Sequence, residues 1–126
     1  MYETGLSRSF VAWHVFPGMD GPEGQLHSHD YRVEVVVSRE RLDDRGMVCD
    51  LDLLQETMDK VVSAIDDKDL DLVRPPDSEA VTVELLAGWF HSELSGLIAG
   101  EGLDLLAVRV WESQVAFGGY SAPPKN

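Results

Sequence analysis

The sequence is organised around one short stretch, Pro22-Glu23-Gly24-Gln25-Leu26-His27-Ser28-His29-Asp30-Tyr31. Its two histidines stand two positions apart, where an alternating run typical of a β-strand begins. In an extended backbone, residues i and i+2 point to the same face, so His27 and His29 direct their imidazoles to one region. Two interpretations are open here: a chelating pair for a metal ion, or two solvated histidines at a strand end.

A third histidine, His14, lies in the preceding strand-like run, which extends from Leu6 to Phe16. If the two runs pair as antiparallel strands, the three imidazoles converge. Three protein ligands with one open position are the usual arrangement of a catalytic zinc ion. The alternative is that His14 is a half-buried structural histidine. We therefore predict a zinc site formed by His14, His27 and His29, with the structural alternative left open.

Composition limits the classes of function. The chain has 126 residues, of which 44% are apolar, so residues 1–126 are predicted to form a single domain with a real core. The net charge of −13 repels phosphate backbones and anionic lipid, which argues against nucleic-acid and membrane partners. The single cysteine, Cys49, and the absence of a recognisable signal peptide favour a cytoplasmic protein. Residues 121–126 are predicted to be a loose tail.

Hydrophobic periodicity predicts the order β-β-α-α-β-β, an α+β fold in which a four-stranded antiparallel sheet carries two helices on one face. The second helix is predicted from Thr82, as N-cap, to Ala99, and the first follows Asp50, with Asp52 and Gln55 in a capping pattern. The predicted strands span residues 6–16, 29–38, 105–112 and 115–120. Because the second strand is rich in valine, we expect its outward face to be covered by another subunit.

Acidic residues accumulate where the first helix ends, in Asp66-Asp67-Lys68-Asp69-Leu70-Asp71. Negative charge at a helix C-terminus opposes the helix dipole and costs roughly 0.3–1 kcal/mol per exposed group. The acids are either simply solvated, or some of them are required at that position.

Six motifs in this order resemble the 6-pyruvoyltetrahydropterin synthase family, which includes the bacterial 6-carboxytetrahydropterin synthases. The resemblance covers nearly the whole chain. The motifs are His14, His27-Ser28-His29, Gly46-Met47-Val48-Cys49-Asp50, Ile65-Asp66-Asp67-Lys68-Asp69-Leu70-Asp71, Thr82-Val83-Glu84 and Trp111-Glu112-Ser113.

The resemblance implies a T-fold subunit that oligomerises into a barrel, as a trimer or a hexamer, with active sites between subunits. It implies that His14, His27 and His29 hold Zn²⁺. It also implies that Glu112 anchors a pterin ring, helped by Thr82, Val83 and Glu84. A carboxylate can accept two parallel hydrogen bonds from the amino-pyrimidinone edge of a pterin, which suits Glu112 to this role.

The sequence departs from the family at two catalytic positions. The family uses a cysteine four residues before the H-x-H motif and an Asp-His pair; this chain has Glu23 in place of the cysteine and Asp67 in place of the histidine, while Asp66 is kept. A subgroup of the family resembles this chain in having glutamate at the first position, where a partly desolvated carboxylate can act as a base. Ser28 also replaces a glycine between the two histidines.

These departures favour a pterin-binding homologue whose catalytic positions hold Glu23, Asp66 and Asp67, of which only Asp66 matches the family. Standard synthase activity is not expected of such a protein. The alternative is a zinc-dependent lyase that acts on 7,8-dihydroneopterin triphosphate or a related dihydropterin, with Glu23 as base. A purely structural oligomer is a third interpretation, which makes the histidines and Glu112 coincidental. Cys49 is predicted to be a buried, inert thiol rather than a substitute for the missing cysteine.

Overall fold

The computed structural model describes residues 1–125 and shows a mixed five-stranded sheet with two α-helices packed on one face. The spatial order of the strands is β3-β1-β2-β4-β5. The elements are, in chain order, β1 (Tyr2–His14), β2 (His27–Arg39), α1 (Leu51–Ser63), β3 (Lys68–Asp69), α2 (Val83–Ile98), β4 (Leu105–Trp111) and β5 (Phe117–Ala122). Short 3-10 turns occur at Pro22–Gly24, Leu70–Val73 and Ala99–Glu101. The predicted α+β fold with two helices is confirmed.

The long hairpin of β1 and β2 is the part of the fold that positions the histidines. The two strands pair antiparallel along their full length, from Tyr2 opposite Arg39 to His14 opposite His27. This register sets His29 opposite Ala12. Strand β1 begins four residues earlier than predicted and ends two residues earlier, at His14, while β2 extends beyond both of its predicted ends. The pairing expected between the two histidine-bearing runs is therefore present.

The helices begin at side chains that accept hydrogen bonds from free backbone N–H groups. Thr82 is the N-cap of α2, as predicted, and its hydroxyl accepts from the Leu85 N–H at 3.1 Å. For α1 the capping prediction was wrong: the N-cap is Asp50, whose carboxylate accepts from the Asp52 N–H at 2.9 Å. Asp50 has the extended backbone conformation that an N-cap requires.

The two faces of the sheet differ in composition. Val33, Val35 and Val37 of β2 are fully buried in the core on the helix-covered face. The opposite face of β2 presents Arg32, Glu34 and the partly buried Val36, so it is more polar than expected, and its coverage by another subunit stays a prediction.

Several boundaries differ from those predicted. The two-residue strand β3 was not predicted, because a parallel bridge of this length has no periodicity to detect. Strand β5 extends to Ala122, which takes the first residues of the predicted tail, and Asn126 lies outside the described residues. Within residues 1–125, no helix combines the length and apolar character needed to cross a membrane.

Candidate metal centre and pterin pocket

His14, His27 and His29 form one cluster at the open end of the β1–β2 hairpin. Each offers one ring nitrogen, and these three atoms lie within 4.8 Å of one another. The ring centroids are separated by 4.4 Å between His14 and His27, by 4.9 Å between His14 and His29, and by 4.7 Å between His27 and His29. The strand register therefore brings together the three residues predicted as ligands.

Within the described part of the chain, the inner nitrogens of the cluster contact only one another or have no partner. The Gln25 carbonyl can only accept, so the contact of 2.8 Å assigns the proton of His27 to Nδ1 and leaves a lone pair on Nε2. That Nε2 faces the Nε2 of His29 at 3.0 Å. The contact therefore makes the His29 Nε2–H the donor, and a metal ion could replace this single hydrogen bond. Both nitrogens of His14 are buried without a hydrogen-bond partner among residues 1–125. Together with His14, whose nitrogens are unpartnered, the three imidazoles form a donor set that fits zinc.

Electrostatics keep His14 in the neutral form that binds metals. Burial lowers the pKa of His14 to about 4, helped by positive charge on His27 and His29 and opposed by the negative charge of Asp69. At neutral pH, His14 therefore carries no proton that a metal ion would have to displace.

Glu23 lies in the loop that leads to the histidines. It is the central residue of the 3-10 turn Pro22–Gly24 and is exposed. Its carbonyl oxygen accepts from the Phe16 N–H at 2.9 Å and closes the loop. Within the described part of the chain, its carboxylate has no hydrogen bond or ion pair, so it is not held by another side chain.

Asp66 and Asp67 are engaged with the edge of β1. The Asp66 carboxylate accepts from the Val11 N–H at 3.1 Å, and the Asp67 carboxylate accepts from the indole N–H of Trp13 at 3.3 Å. Asp67 has φ of 59°, a left-handed conformation that aspartate tolerates better than most residues. Trp13 and His14 alternate along β1, so Asp67 contacts the sheet face opposite the cluster. Within one chain, these two acids support the strand that carries His14.

The segment Thr82-Val83-Glu84 forms the cap and first residues of α2 and packs closely against β5. A Cβ atom at Gly118 would lie 2.6 Å from Val83 Cγ2 and 2.8 Å from Glu84 Oε1, so the helix approaches the strand at a distance that only glycine permits. Gly118 pairs with Val110 of β4, two residues before Glu112. Strands β5 and β4 thus connect the Thr82-Val83-Glu84 segment to Glu112, the two parts of the predicted pterin site.

Glu112 follows β4 and borders a cavity of about 590 Å³. Its N–H donates to the Ala116 carbonyl at 3.1 Å in the turn before β5, and its side chain is exposed. Tyr31, Arg32 and Trp111 also line this cavity. Tyr31 was not predicted as a site residue, although the alternation that aligned His27 with His29 also places Tyr31 on their face.

Cys49 is partly buried at the other end of the molecule, just before α1. Burial, followed by the negative charges of Glu101 and Asp50, raises the pKa of its thiol. A raised pKa favours the unreactive thiol form, in agreement with the predicted inert role.

Comparison with known proteins gives matches in both sequence and structure. A family model described as 6-pyruvoyl tetrahydropterin synthase matches residues 5–123. A 6-carboxy-5,6,7,8-tetrahydropterin synthase from Synechocystis is 33% identical over 93 residues, which cover 68% of this chain and 69% of the relative. An Archaeoglobus fulgidus protein provisionally assigned the same name is 33% identical over 111 residues, 87% of each chain.

Solved structures show the same fold at lower identity. The 6-pyruvoyl tetrahydropterin synthase of Caenorhabditis elegans superimposes with a TM-score of 0.71 at 22% identity, covering 94% of each chain. A catalytic-residue variant of the Plasmodium vivax 6-pyruvoyltetrahydropterin synthase gives a TM-score of 0.76 at 17% identity, covering 98% of this chain and 99% of the other.

Proposed function

Because the chain belongs to the 6-pyruvoyl tetrahydropterin synthase family, we propose that it is a zinc-dependent lyase that acts on the side chain of a dihydropterin. The observation that carries the proposal is the convergence of three histidines on the sheet face that also holds Tyr31, which borders the same cavity as Glu112. The family assignment limits the chemistry to pterin metabolism; the substrate and the reaction are the proposal.

His14, His27 and His29 would hold the zinc ion. When bound, zinc acts as a Lewis acid that polarises side-chain oxygens and makes neighbouring C–H protons more acidic. Glu23 is proposed as the base that removes such a proton, because its carboxylate is exposed, unpaired within residues 1–125 and located four residues before His27. In the Plasmodium vivax relative, a glutamate is named as a catalytic residue, so a catalytic glutamate has a counterpart in the family.

Glu112 is proposed to orient the ligand. Its carboxylate would accept two hydrogen bonds from the amino-pyrimidinone edge of the pterin, and the adjoining cavity of about 590 Å³ falls within the range of ordinary small-molecule sites. Thr82, Val83 and Glu84 would support the ring from the N-terminus of α2. A trimer or hexamer is proposed for the assembly, since β5 and most of β1 are sheet edges that a barrel would pair.

A second candidate is a protein that binds a pterin without converting it. The contacts of Asp66 and Asp67 favour this alternative, because both carboxylates are used to hold β1. In addition, Asp67 occupies the position of the histidine that relays a proton in the family. The two candidates share the ring pocket and differ only in turnover.

One experiment separates the candidates. Zinc-loaded protein is incubated without oxygen with 7,8-dihydroneopterin triphosphate and, separately, with 7,8-dihydroneopterin, and products are followed by mass. The lyase predicts a 6-substituted pterin product that requires zinc and is lost in Glu23→Gln. Glu56→Gln, which changes an exposed carboxylate on α1, is the matched control and should keep full activity.

Retention of the pterin without product, with release in Glu112→Ala, would establish the binding protein and eliminate the lyase. Neither product nor retention at any zinc occupancy would eliminate both candidates.

A further inference from the structure

Two cavities border the region of the histidine cluster. The larger, of about 590 Å³, lies beside Glu112, and a smaller one of about 140 Å³ is bordered by His14. A zinc ion on the histidines acts on oxygens of the ligand's side chain, so that side chain is exposed to the charges around both cavities.

The smaller cavity is acidic. Three exposed carboxylate residues line it, and among residues 1–125 no basic side chain does so; the acids are Asp69, Asp71 and Glu79. The carboxylate of Asp71 is matched by Arg74, whose Nε lies 2.6 Å from it. Asp69 and Glu79 form no ion pair within the described residues. Two uncompensated negative charges therefore stand next to His14.

The larger cavity has little positive charge to offer. Asp30 and Glu112 line it, together with a single basic residue, Arg32. The guanidinium of Arg32 stacks 4.8 Å above the ring centroid of Trp111 and lies 3.7 Å from the carboxylate of Glu34. Its charge is therefore partly compensated before any ligand arrives.

The other basic residues are paired or lie elsewhere. The chain has ten, all within residues 1–125, so a second copy of the chain has the same set to contribute. Lys68 adjoins β1 but stands among four aspartates in the segment 66–71, and Arg8 pairs with Asp59 of α1. Arg39 is at the opposite end of the β1–β2 hairpin, where it contacts backbone carbonyls.

This distribution of charge opposes a polyanionic ligand. A triphosphate carries roughly four negative charges at neutral pH, more than the double charge of Zn²⁺ neutralises. The net charge of the chain, −13, adds repulsion at longer range. The hydroxyl groups of a polyol are hydrogen-bond donors that carboxylates accept, so the same acidic residues suit an uncharged side chain.

We propose that the ligand of this site is a dihydropterin whose side chain is an uncharged polyol, as in 7,8-dihydroneopterin, rather than a dihydropterin triphosphate. This inference rests on the proposed function, because it assumes a pterin in the larger cavity and zinc on the histidines. It narrows that function to one substrate class.

The test compares two fluorescent probes on zinc-loaded protein, neopterin and neopterin triphosphate, which differ only in the phosphates. In about 10 mM salt, neopterin should bind roughly tenfold or more tightly than its triphosphate, because charges are weakly screened. In about 0.5 M salt, the difference should shrink through tighter binding of the triphosphate, while the dissociation constant of neopterin stays constant.

A charge reversal locates the cause of the preference. Glu79→Lys should tighten binding of the triphosphate by roughly fivefold and leave that of neopterin within twofold, because it changes the charge beside His14. Glu56→Lys, an equal change of charge at an exposed position of α1, is the matched control and should shift neither constant beyond twofold. Zinc content and melting temperature are measured for every protein.

The outcomes are distinct. A parent that binds the triphosphate as tightly as neopterin in low salt, or a Glu79→Lys variant that behaves like Glu56→Lys, overturns this inference and leaves the proposed function intact. A zinc-loaded parent that binds neither probe overturns the proposed function and this inference with it.

Discussion

The four histidines of this chain belong to two regions that use the same side chain in opposite ways. At the end of the β1–β2 hairpin, His14, His27 and His29 direct available nitrogens at one another. On α2, His91 is as buried as His14, but its Nε2 contacts the Ala122 carbonyl at 3.0 Å and its Nδ1 contacts the Ser95 hydroxyl at 3.4 Å. These two contacts make His91 a structural link between α2 and β5. The comparison teaches that the proposed metal ligands differ from a structural histidine in that their ring nitrogens meet one another, with those of His14 unpartnered, instead of bonding to fixed groups of other elements.

Zinc binding should produce the largest difference in stability between variants of the two histidine regions. At a free concentration about a thousandfold above its dissociation constant, zinc should raise the free energy of unfolding by about 4 kcal/mol. His29→Ala should abolish that increase, because two imidazoles remain, whereas His91→Ala should retain it. Urea denaturation with zinc and with chelator measures both, and an increase that survives in His29→Ala would contradict the assigned ligand set.

Acid should weaken the chelator-treated protein through His14. The folded-state pKa of about 4 lies below the ordinary value of 6.5, so the contribution is fully present above pH 6.5 and is lost as pH falls towards 4. Between these values the unfolded chain binds a proton that the folded protein does not, which amounts to up to about 3 kcal/mol.

The measurement is the difference in unfolding free energy between the parent and His14→Phe at a series of pH values from neutral to acid. The difference should shrink steadily below pH 6.5. A difference that does not depend on pH would show that burial of His14 does not couple to its protonation.

The stability effect of His91 should come next in size. His91→Ala removes the bond to Ala122 and opens a space at the buried edge of α2, which should cost about 2–3 kcal/mol in chelator-treated protein. Zinc stoichiometry, measured by metal analysis, should not change. Loss of zinc from this variant would mean that the two histidine regions are coupled.

The smallest effect is expected for His29→Ala without metal. His29 is only partly buried, and its bond to His27 at 3.0 Å is one exchangeable contact, so the cost should stay below about 1 kcal/mol. Thermal denaturation in chelator would therefore rank His91→Ala as more damaging, and added zinc would reverse the order. If His91→Ala remained the more damaging variant after zinc is added, the proposed difference between the metal-binding and the structural histidines would be wrong.

The histidine cluster could be predicted from sequence because it depends on local alternation. The i, i+2 spacing of His27 and His29 already fixes their common face, and only the pairing with His14 required an assumption about the fold. The N-cap at Thr82 was predictable for the same reason, since a cap is set by residues within one turn.

Features that depend on distant contacts were not predictable. The bonds from Asp66 and Asp67 to β1 join residues more than fifty positions apart, and no spacing rule reports them. The outward face of β2 is more polar than expected because consecutive valines hide the alternation, and only the register shows that Arg32 and Glu34 share this face with Val36. The family resemblance supplied the role of Glu112, which no local pattern distinguishes from an exposed acid.

The last pair of the β1–β2 ladder is His14 opposite His27. Its position affects how often this end of the hairpin opens, rather than how tightly a ligand binds. Terminal pairs of a ladder open first, and amide protons near them exchange quickly with solvent. A metal ion held by these residues would close the hairpin at the point where it otherwise separates. Exchange at Trp13 and Ser28 would then follow the residence time of the metal, and the loop that carries Glu23 would open no more often than the metal departs.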